Sequence, residues 1–241
     1  NFYYGNHARK LIEKKKALYL AGNPNIAFDQ IEIFQRKKKG IVQSNIYPIT
    51  KIKALNKETI FAVKADLKKI TSKRKSICGL KFDNPQIMGA LNITPDSFSD
   101  GGLFFDDSKA FDQANLMIKS GAVVIDVGGE STRPGSKVVN EKDEWDRIKN
   151  TVIKLKKIFS KVPLSLDTRK SYVMKKGIES GVNIINDVSG LNFDKKSFDI
   201  INSKNIPFIL HHMQSTPDIM QENPKYEDAL LDIYDFFEEK I

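Results

Sequence analysis

A single cysteine, Cys78, leaves this 241-residue chain without the means for an internal disulfide. Three histidines, none of them in a Cys/His cluster, argue against a structural zinc site. No apolar run approaches the roughly 18 to 20 residues of a membrane-crossing helix. Residues 1–20 also lack the charged, apolar, small-residue order of a secretory leader. Together these absences predict a reducing or redox-indifferent setting, expected to be the cytoplasm, and no membrane partner.

What is present is ordinary for a globular protein: 40% hydrophobic and 29% charged residues, enough for one large domain and a smaller piece. The net charge of +9 is unevenly spread. Residues 1–81 hold 19 Lys/Arg against 5 Asp/Glu, whereas residues 82–241 hold 20 against 25. Two regions of opposite electrostatic character are therefore expected. The runs EKKK (13–16), RKKK (36–39) and SKRK (72–75) attract polyanions without specifying one, and we read them as solvated surface and not as a nucleic-acid interface.

From residue 85 onward one pattern repeats: a short apolar run, a polar residue at its end, a loop, then helical periodicity. The runs are QIMGALN (86–92), AVVIDVG (122–128), VPLSLD (162–167), VNIIND (182–187) and IPFILHH (206–212). Helical patterns follow at about 108–120, 141–160, 170–180, 195–204 and 226–240. Continuously apolar strands alternating with helices predict a parallel sheet covered on both faces, either doubly wound or a barrel. The polar residues favour the α/β (β/α)8 TIM barrel, here about its first five β/α units. Asn92, Asp126, Asp167, Asn186 with Asp187, and His211 with His212 all fall at or just past strand ends, the positions that converge on the working face of a barrel. A doubly wound sheet would gather such groups at one switch point.

Residues 1–84 depart from this pattern. A strand at 26–34 and a helix at 57–70, with Ile60, Phe61, Val63 and Leu67 on one side, predict a small α+β N-terminal appendage. LKFDNP (80–85) reads as a junction or as a strand capping the bottom of the barrel. The expected division is thus a basic appendage of unassigned function (1–84) and a barrel domain (85–241). The start at Asn1 and the uncapped amphipathic helix EDALLDIYDFFEEKI (227–241) lead us to expect a piece of a longer protein.

Five stretches carry candidate chemistry. After the strand ending in Asn92, the loop presents Asp96 and Asp100 before two glycines, a set of oxygen donors suited to Mg2+ shared with phosphate. In DVGGESTRPGS (126–136), glycines permit close backbone approach and Arg133 offers a fixed fork for an anion. Asp167 could pair with the N–H groups of a heterocycle or oppose developing positive charge. Asn186 offers a donor and an acceptor together, as reading a pterin or purine edge requires. In LHHMQSTP (210–217), adjacent histidines on a strand point to opposite faces and make a poor metal pair. Met213 suits the flat apolar wall of a ring-binding slot.

MGALNITPDSFSDGG (88–102), GAVVIDVGGESTRPGS (121–136), LSLDT (164–168), GVNIINDVSG (181–190) and HHMQSTPDIMQENPKY (211–226) together resemble the dihydropteroate synthase family. The first two blocks are long family signatures, and the resemblance covers roughly residues 85–241. It implies a pterin-binding TIM barrel of folate biosynthesis, a transferase and sulfonamide target. Such an enzyme condenses 6-hydroxymethyl-7,8-dihydropterin pyrophosphate with 4-aminobenzoate and releases pyrophosphate. It further implies Mg2+ held by Asn92 and Asp100, and Phe98 against the aminobenzoate ring. Thr132, Arg133 and Pro134 would lie on the aminobenzoate and phosphate side, Asp167 and Asn186 would hold the pterin, and Met213 would line its slot. Asp167, Arg133 and Asp96 are the expected catalytic residues, and a homodimer is the expected assembly.

The family pattern continues with a DPG and GFGK block, a later lysine and a final Arg-x-His, none of which is present. An incomplete and inactive copy with open sheet edges is therefore expected. Two rivals are a pterin-binding methyltransferase barrel, which has no use for a pyrophosphate-binding TPDSFSDGG loop, and a non-catalytic pterin-binding module.

Overall fold

The structure is a computed structural model that describes residues 1–36, 42–94, 107–131, 138–214 and 223–241. The chain divides into two compact units, Asn1–Ser76 with Lys81–Asn84, and Ile77–Leu80 with Pro85–Ile241.

The first unit has more strands than its sequence suggests. β1 (Phe2–Tyr4), β2 (Leu18–Leu20) and β3 (Asn23–Phe28) form an antiparallel sheet in the order β1-β3-β2, with helix α1 (Gly5–Glu13) packed on it. β4 (Gln30–Arg36) and β5 (Val42–Pro48) pair separately as an antiparallel ladder. The strand expected at 26–34 is thus two strands, broken at Asp29, whose carbonyl accepts from Ile49 N at 2.8 Å. Helix α2 (Lys57–Thr71) begins where Asn56 Oδ1 accepts from Thr59 N at 2.9 Å. It buries Val63 and leaves Phe61 81% exposed, so Phe61 is not part of the packed stripe expected for it. Residues 80–85 form no strand; Leu80 makes only an isolated antiparallel bridge with Ile77.

The second unit carries five β/α units. Strands β6 (Met88–Asn92), β7 (Val124–Gly128), β8 (Leu164–Asp167), β9 (Ile184–Asp187) and β10 (Phe208–Leu210) are parallel and stand side by side in chain order. That order never reverses, as a doubly wound sheet must at its switch point, so the sheet is an arc of barrel type. Helices α3 (Asp107–Lys119), α4 (Glu141–Ile158), α5 (Ser171–Glu179), α6 (Ser197–Lys204) and α7 (Ala229–Lys240) follow the successive strands. α4 starts where Asn140 Oδ1 accepts from Lys142 N and Asp143 N at 3.0 and 2.9 Å, with Glu141, Asp143 and Glu144 in the first turn beside the positive end of the helix dipole.

The expectation of uniformly apolar strands fails in a way that locates the site. Leu91, Ile125, Val127, Leu164, Leu166 and Ile185 form one face and pack with Ile148, Val152 and Leu155 of α4 and Val173 of α5 into a single buried core. Each such side chain contributes about 1.5–3 kcal/mol through removal from water. The alternate residues Asn92, Asp126, Ser165, Asp167 and Asn186 share the opposite face, because strand side chains alternate. Among the described residues no helix is long and apolar enough to cross a membrane.

Candidate active site

Registry brings the strand-end residues into one row. Asn92 pairs with Gly128, Gly128 with Asp167, Asp167 with Asn186, and Asn186 with Ile209, across five strands spaced about 4.8 Å apart. Three of the residues expected at the site, Asn92, Asp167 and Asn186, therefore lie on one edge and one face. Met213 follows β10 and is half-buried. Asp96, Phe98, Asp100, Thr132, Arg133 and Pro134 lie outside the described residues.

The two glycines of the second motif do different things. A Cβ on Gly128 would lie 3.3 Å from Asn92 Oδ1 and 3.4 Å from Asp167 Oδ2, so the missing side chain keeps the space between amide and carboxylate open. A Cβ on Gly129 would meet the Glu144 backbone carbonyl at 2.8 Å and Ile148 Cγ2 at 3.0 Å. Gly129 thus permits α4 to approach the strand end, a packing role in place of the expected ligand-facing one.

Asp167 is held far from its ordinary chemistry. Burial, then the charges of Asp126, Glu144, Asp187 and Glu130, push its carboxyl up to about 7 from 3.8. Among the described residues no donor hydrogen-bonds it. One row lower on the same face, Asp126 is buried and its carboxyl is raised by that burial, opposed in part by the Ser165 hydroxyl and the Asn186 amide. Asn186 Nδ2 donates to Asp126 Oδ2 at 2.9 Å, while Asp126 Oδ1 and Ser165 Oγ make no well-formed hydrogen bond. Asn186 Oδ1 lies 2.7 Å from His211 Nε2. Among the described residues this row therefore presents more hydrogen-bond acceptors than donors.

Asp187 and His212 serve the local structure of their loops. Asp187, grouped with Asn186 in sequence, faces the other way and accepts from Ser189 N, Ser189 Oγ and Leu191 N at 2.8, 2.7 and 3.1 Å, shaping the loop after β9. The two histidines diverge: His211 meets Asn186, whereas His212 Nε2 lies 3.1 Å from the Tyr226 hydroxyl and its ring packs edge-on to Phe236. Among the described residues no group of three or more His, Cys, Asp or Glu is arranged to hold a metal.

Sequence reasoning missed a buried ionic cluster behind the row. Glu130 accepts from Val139 N at 2.9 Å and Arg169 Nε at 3.0 Å, and Lys170 Nζ lies 2.9 Å from Glu130 Oε1. Lys170 also pairs with Glu144, which accepts from Thr168 Oγ1 at 2.5 Å. All five side chains are less than 9% exposed. With three donors, Glu130 is held below the usual carboxylate range by Val139 N–H, Arg169 and Lys170 against the effect of burial. Glu144, fully buried beside Glu130, is pushed up, burial outweighing Lys170 and Thr168. The visible signal is Glu130 in GGES and Arg169 with Lys170 in DTRK, opposite charges in two motifs that each follow a strand end.

An arc of parallel strands with a row of polar residues at its C-terminal edge defines a barrel-type α/β protein. Residues 88–241 match the pterin binding enzyme family, and the chain belongs to it. The dihydropteroate synthase of Escherichia coli K12 is 41% identical over 162 residues, which is 67% of this chain and 57% of that enzyme. The crystal structure of Yersinia pestis dihydropteroate synthase with a sulfonamide drug complex superposes with a TM-score of 0.61 at 41% identity, covering 67% of this chain and 58% of that one. Xanthomonas albilineans dihydropteroate synthase with 4-aminobenzoic acid gives 0.59 at 34% identity, covering 67% and 56%. The chain spans little more than half the length of these relatives.

Proposed function

We propose that this chain contributes the pterin-binding side of a dihydropteroate synthase, which joins 6-hydroxymethyl-7,8-dihydropterin pyrophosphate to 4-aminobenzoate in folate biosynthesis. One observation carries the reading: the Asp167 carboxyl, given no hydrogen-bond donor by the described residues and pushed up to about 7, aligned in registry with Asn92, Gly128 and Asn186. A 2-amino-4-oxo ring supplies adjacent N–H donors that a carboxylate and an amide oxygen accept.

In this reading Asn186 and Asp167 hold the pterin, with Met213 against its face. The aminobenzoate nitrogen attacks the exocyclic methylene, the C–O bond to pyrophosphate breaks, and the nitrogen loses a proton. Asp167 opposes the positive charge that develops on the ring as that bond weakens. Thr132, Arg133 and Pro134 receive the aminobenzoate and phosphate groups, Phe98 stacks on the aminobenzoate ring, and Asp96 joins Asp167 and Arg133 at the reacting atoms.

Asn92 Oδ1, exposed on the open side of Gly128, is an oxygen donor of the kind Mg2+ takes, and Asp100 would be its companion. When bound, Mg2+ supplies charge neutralisation for the departing pyrophosphate. A cytoplasmic homodimer, with residues 1–84 as a separate appendage, completes the reading.

The test is calorimetry with 6-hydroxymethyl-7,8-dihydropterin. Asn186→Leu should weaken binding by about 1–3 kcal/mol, because a ring polar group is left unpaired. A change of less than twofold would show that Asn186 merely ends its strand.

A further inference from the structure

Asn186 can read a ring edge only if its amide keeps one orientation, since exchanging Oδ1 and Nδ2 exchanges acceptor for donor. Two neighbours bear on that orientation. Asp126 Oδ2 takes Nδ2 at 2.9 Å, and His211 Nε2 faces Oδ1 at 2.7 Å. A carboxylate cannot donate, so the amide nitrogen belongs on the Asp126 side. The oxygen then requires a donor, which His211 provides only as the Nε2–H form. We infer that His211 is a positioning residue that sets the donor–acceptor order in which Asn186 presents itself to the pterin, an inference that rests on the pterin-binding reading of this site.

The placement explains why two adjacent histidines are used differently. His212 turns into an aromatic group with Tyr226, Phe236 and Phe237, where its ring fixes the segment after β10. His211 turns the other way, to the end of β9, and its imidazole is half-buried beside the site. Its contact through Asn186 reaches Asp126 on β7, so one chain of hydrogen bonds crosses from the β10 side to β7 over the row that Asp167 occupies.

The experiment compares wild type, His211→Leu, His211→Gln and Asn186→Leu for binding of 6-hydroxymethylpterin and of its isomer with the 2-amino and 4-oxo groups exchanged. Thermal melts accompany each variant. His211→Leu should lose roughly three- to tenfold in pterin affinity, the effect of one hydrogen bond, and lose most of the preference over the isomer while melting like wild type. His211→Gln, which retains an N–H donor, should recover both affinity and preference. If Asn186→Leu weakens binding but His211→Leu stays within twofold of wild type with its preference intact, the positioning role is overturned and the pterin site stands. If His211→Gln behaves like His211→Leu, the donor is not what matters and the inference again fails. A wild-type chain that binds neither ring overturns the underlying reading and the inference with it.

Discussion

Asn186 on β9 reaches across β8 to Asp126 on β7, Nδ2 to Oδ2 at 2.9 Å, and Asp167 stands between them on the intervening strand. The contact fixes a second carboxylate in low-dielectric surroundings close to the first. Two like charges so placed disfavour each other's ionised form, and Asp126 is the largest charge contribution to the raised Asp167 carboxyl, after burial.

Asp126→Asn should therefore move the Asp167 titration down from about 7 toward the ordinary range. Carbon-13 carboxyl shifts followed over roughly pH 3 to 9, a span that brackets both the ordinary and the raised value, would report it. An unmoved midpoint would show that burial alone sets the value.

The stability consequence has a definite sign. Between 3.8 and about 7 the native state holds a proton on Asp167 that the unfolded chain has released, so this residue lowers stability as pH rises through that window. Asp167→Asn removes the penalty. The variant should unfold later than wild type at about pH 8 and with little difference at about pH 4. Asp167 is half-buried, so solvent screening limits the gain to about 1–2 kcal/mol, less than a carboxyl sealed from water would give. Pterin binding should fall at the same time. Paired denaturation curves at the two pH values, with calorimetry alongside, check both halves.

Much of this arrangement is legible in the sequence because strand ends in a barrel carry polar residues after apolar runs, and Asn92, Asp167 and Asn186 each obey that rule. The apolar runs start two residues ahead of the strands at Ala122, Val162, Val182 and Ile206, where apolar residues pack against helices without entering the ladder. Pro163 and Pro207 lack the N–H that a ladder needs, yet their carbonyls accept from Ile125 N and Ile185 N. The Asn186–His211 pairing joins residues 25 apart, and the Glu130–Arg169 pair joins residues 39 apart. No local period reveals such contacts; only the registry of neighbouring strands does. In the first unit, three-residue strands are too short for alternation to register.

The adjacent glycines should separate cleanly when tested. Gly129→Ala puts a methyl 2.8 Å from a helix backbone carbonyl, which cannot swing aside, and overpacking of this kind costs about 1–3 kcal/mol of stability. Gly128→Ala meets side chains at ordinary or slightly tight distances of 3.3–3.4 Å. It should melt near wild type while losing at least about tenfold in pterin affinity, a cost on the order of 1.4 kcal/mol. Equal losses of stability in the two variants would mean that Gly128, too, is only a packing glycine.

Lys170 is the cation shared by Glu130 and Glu144, and its removal gives the sharpest test of the buried cluster. Glu130 keeps Arg169 and the Val139 N–H, but among the described residues Glu144 is left with Thr168 alone. A buried pair that loses one member costs about 3–5 kcal/mol, because the other charge stays uncompensated. Glu144 escapes by taking up a proton, so its carboxyl, already raised, rises further. A carboxyl raised in the native state makes stability fall as pH climbs above its unfolded value of 4.5. Lys170→Met should thus be moderately destabilised at about pH 5 and much more so at about pH 8, by up to about 1.4 kcal/mol per pH unit. Adding Glu144→Met should remove that pH dependence and recover most of the lost stability, since both the buried charge and its missing partner are gone. Urea denaturation of the single and double variants at both pH values decides the matter. A single variant whose loss does not grow with pH would show that Glu144 is not the group left without a partner.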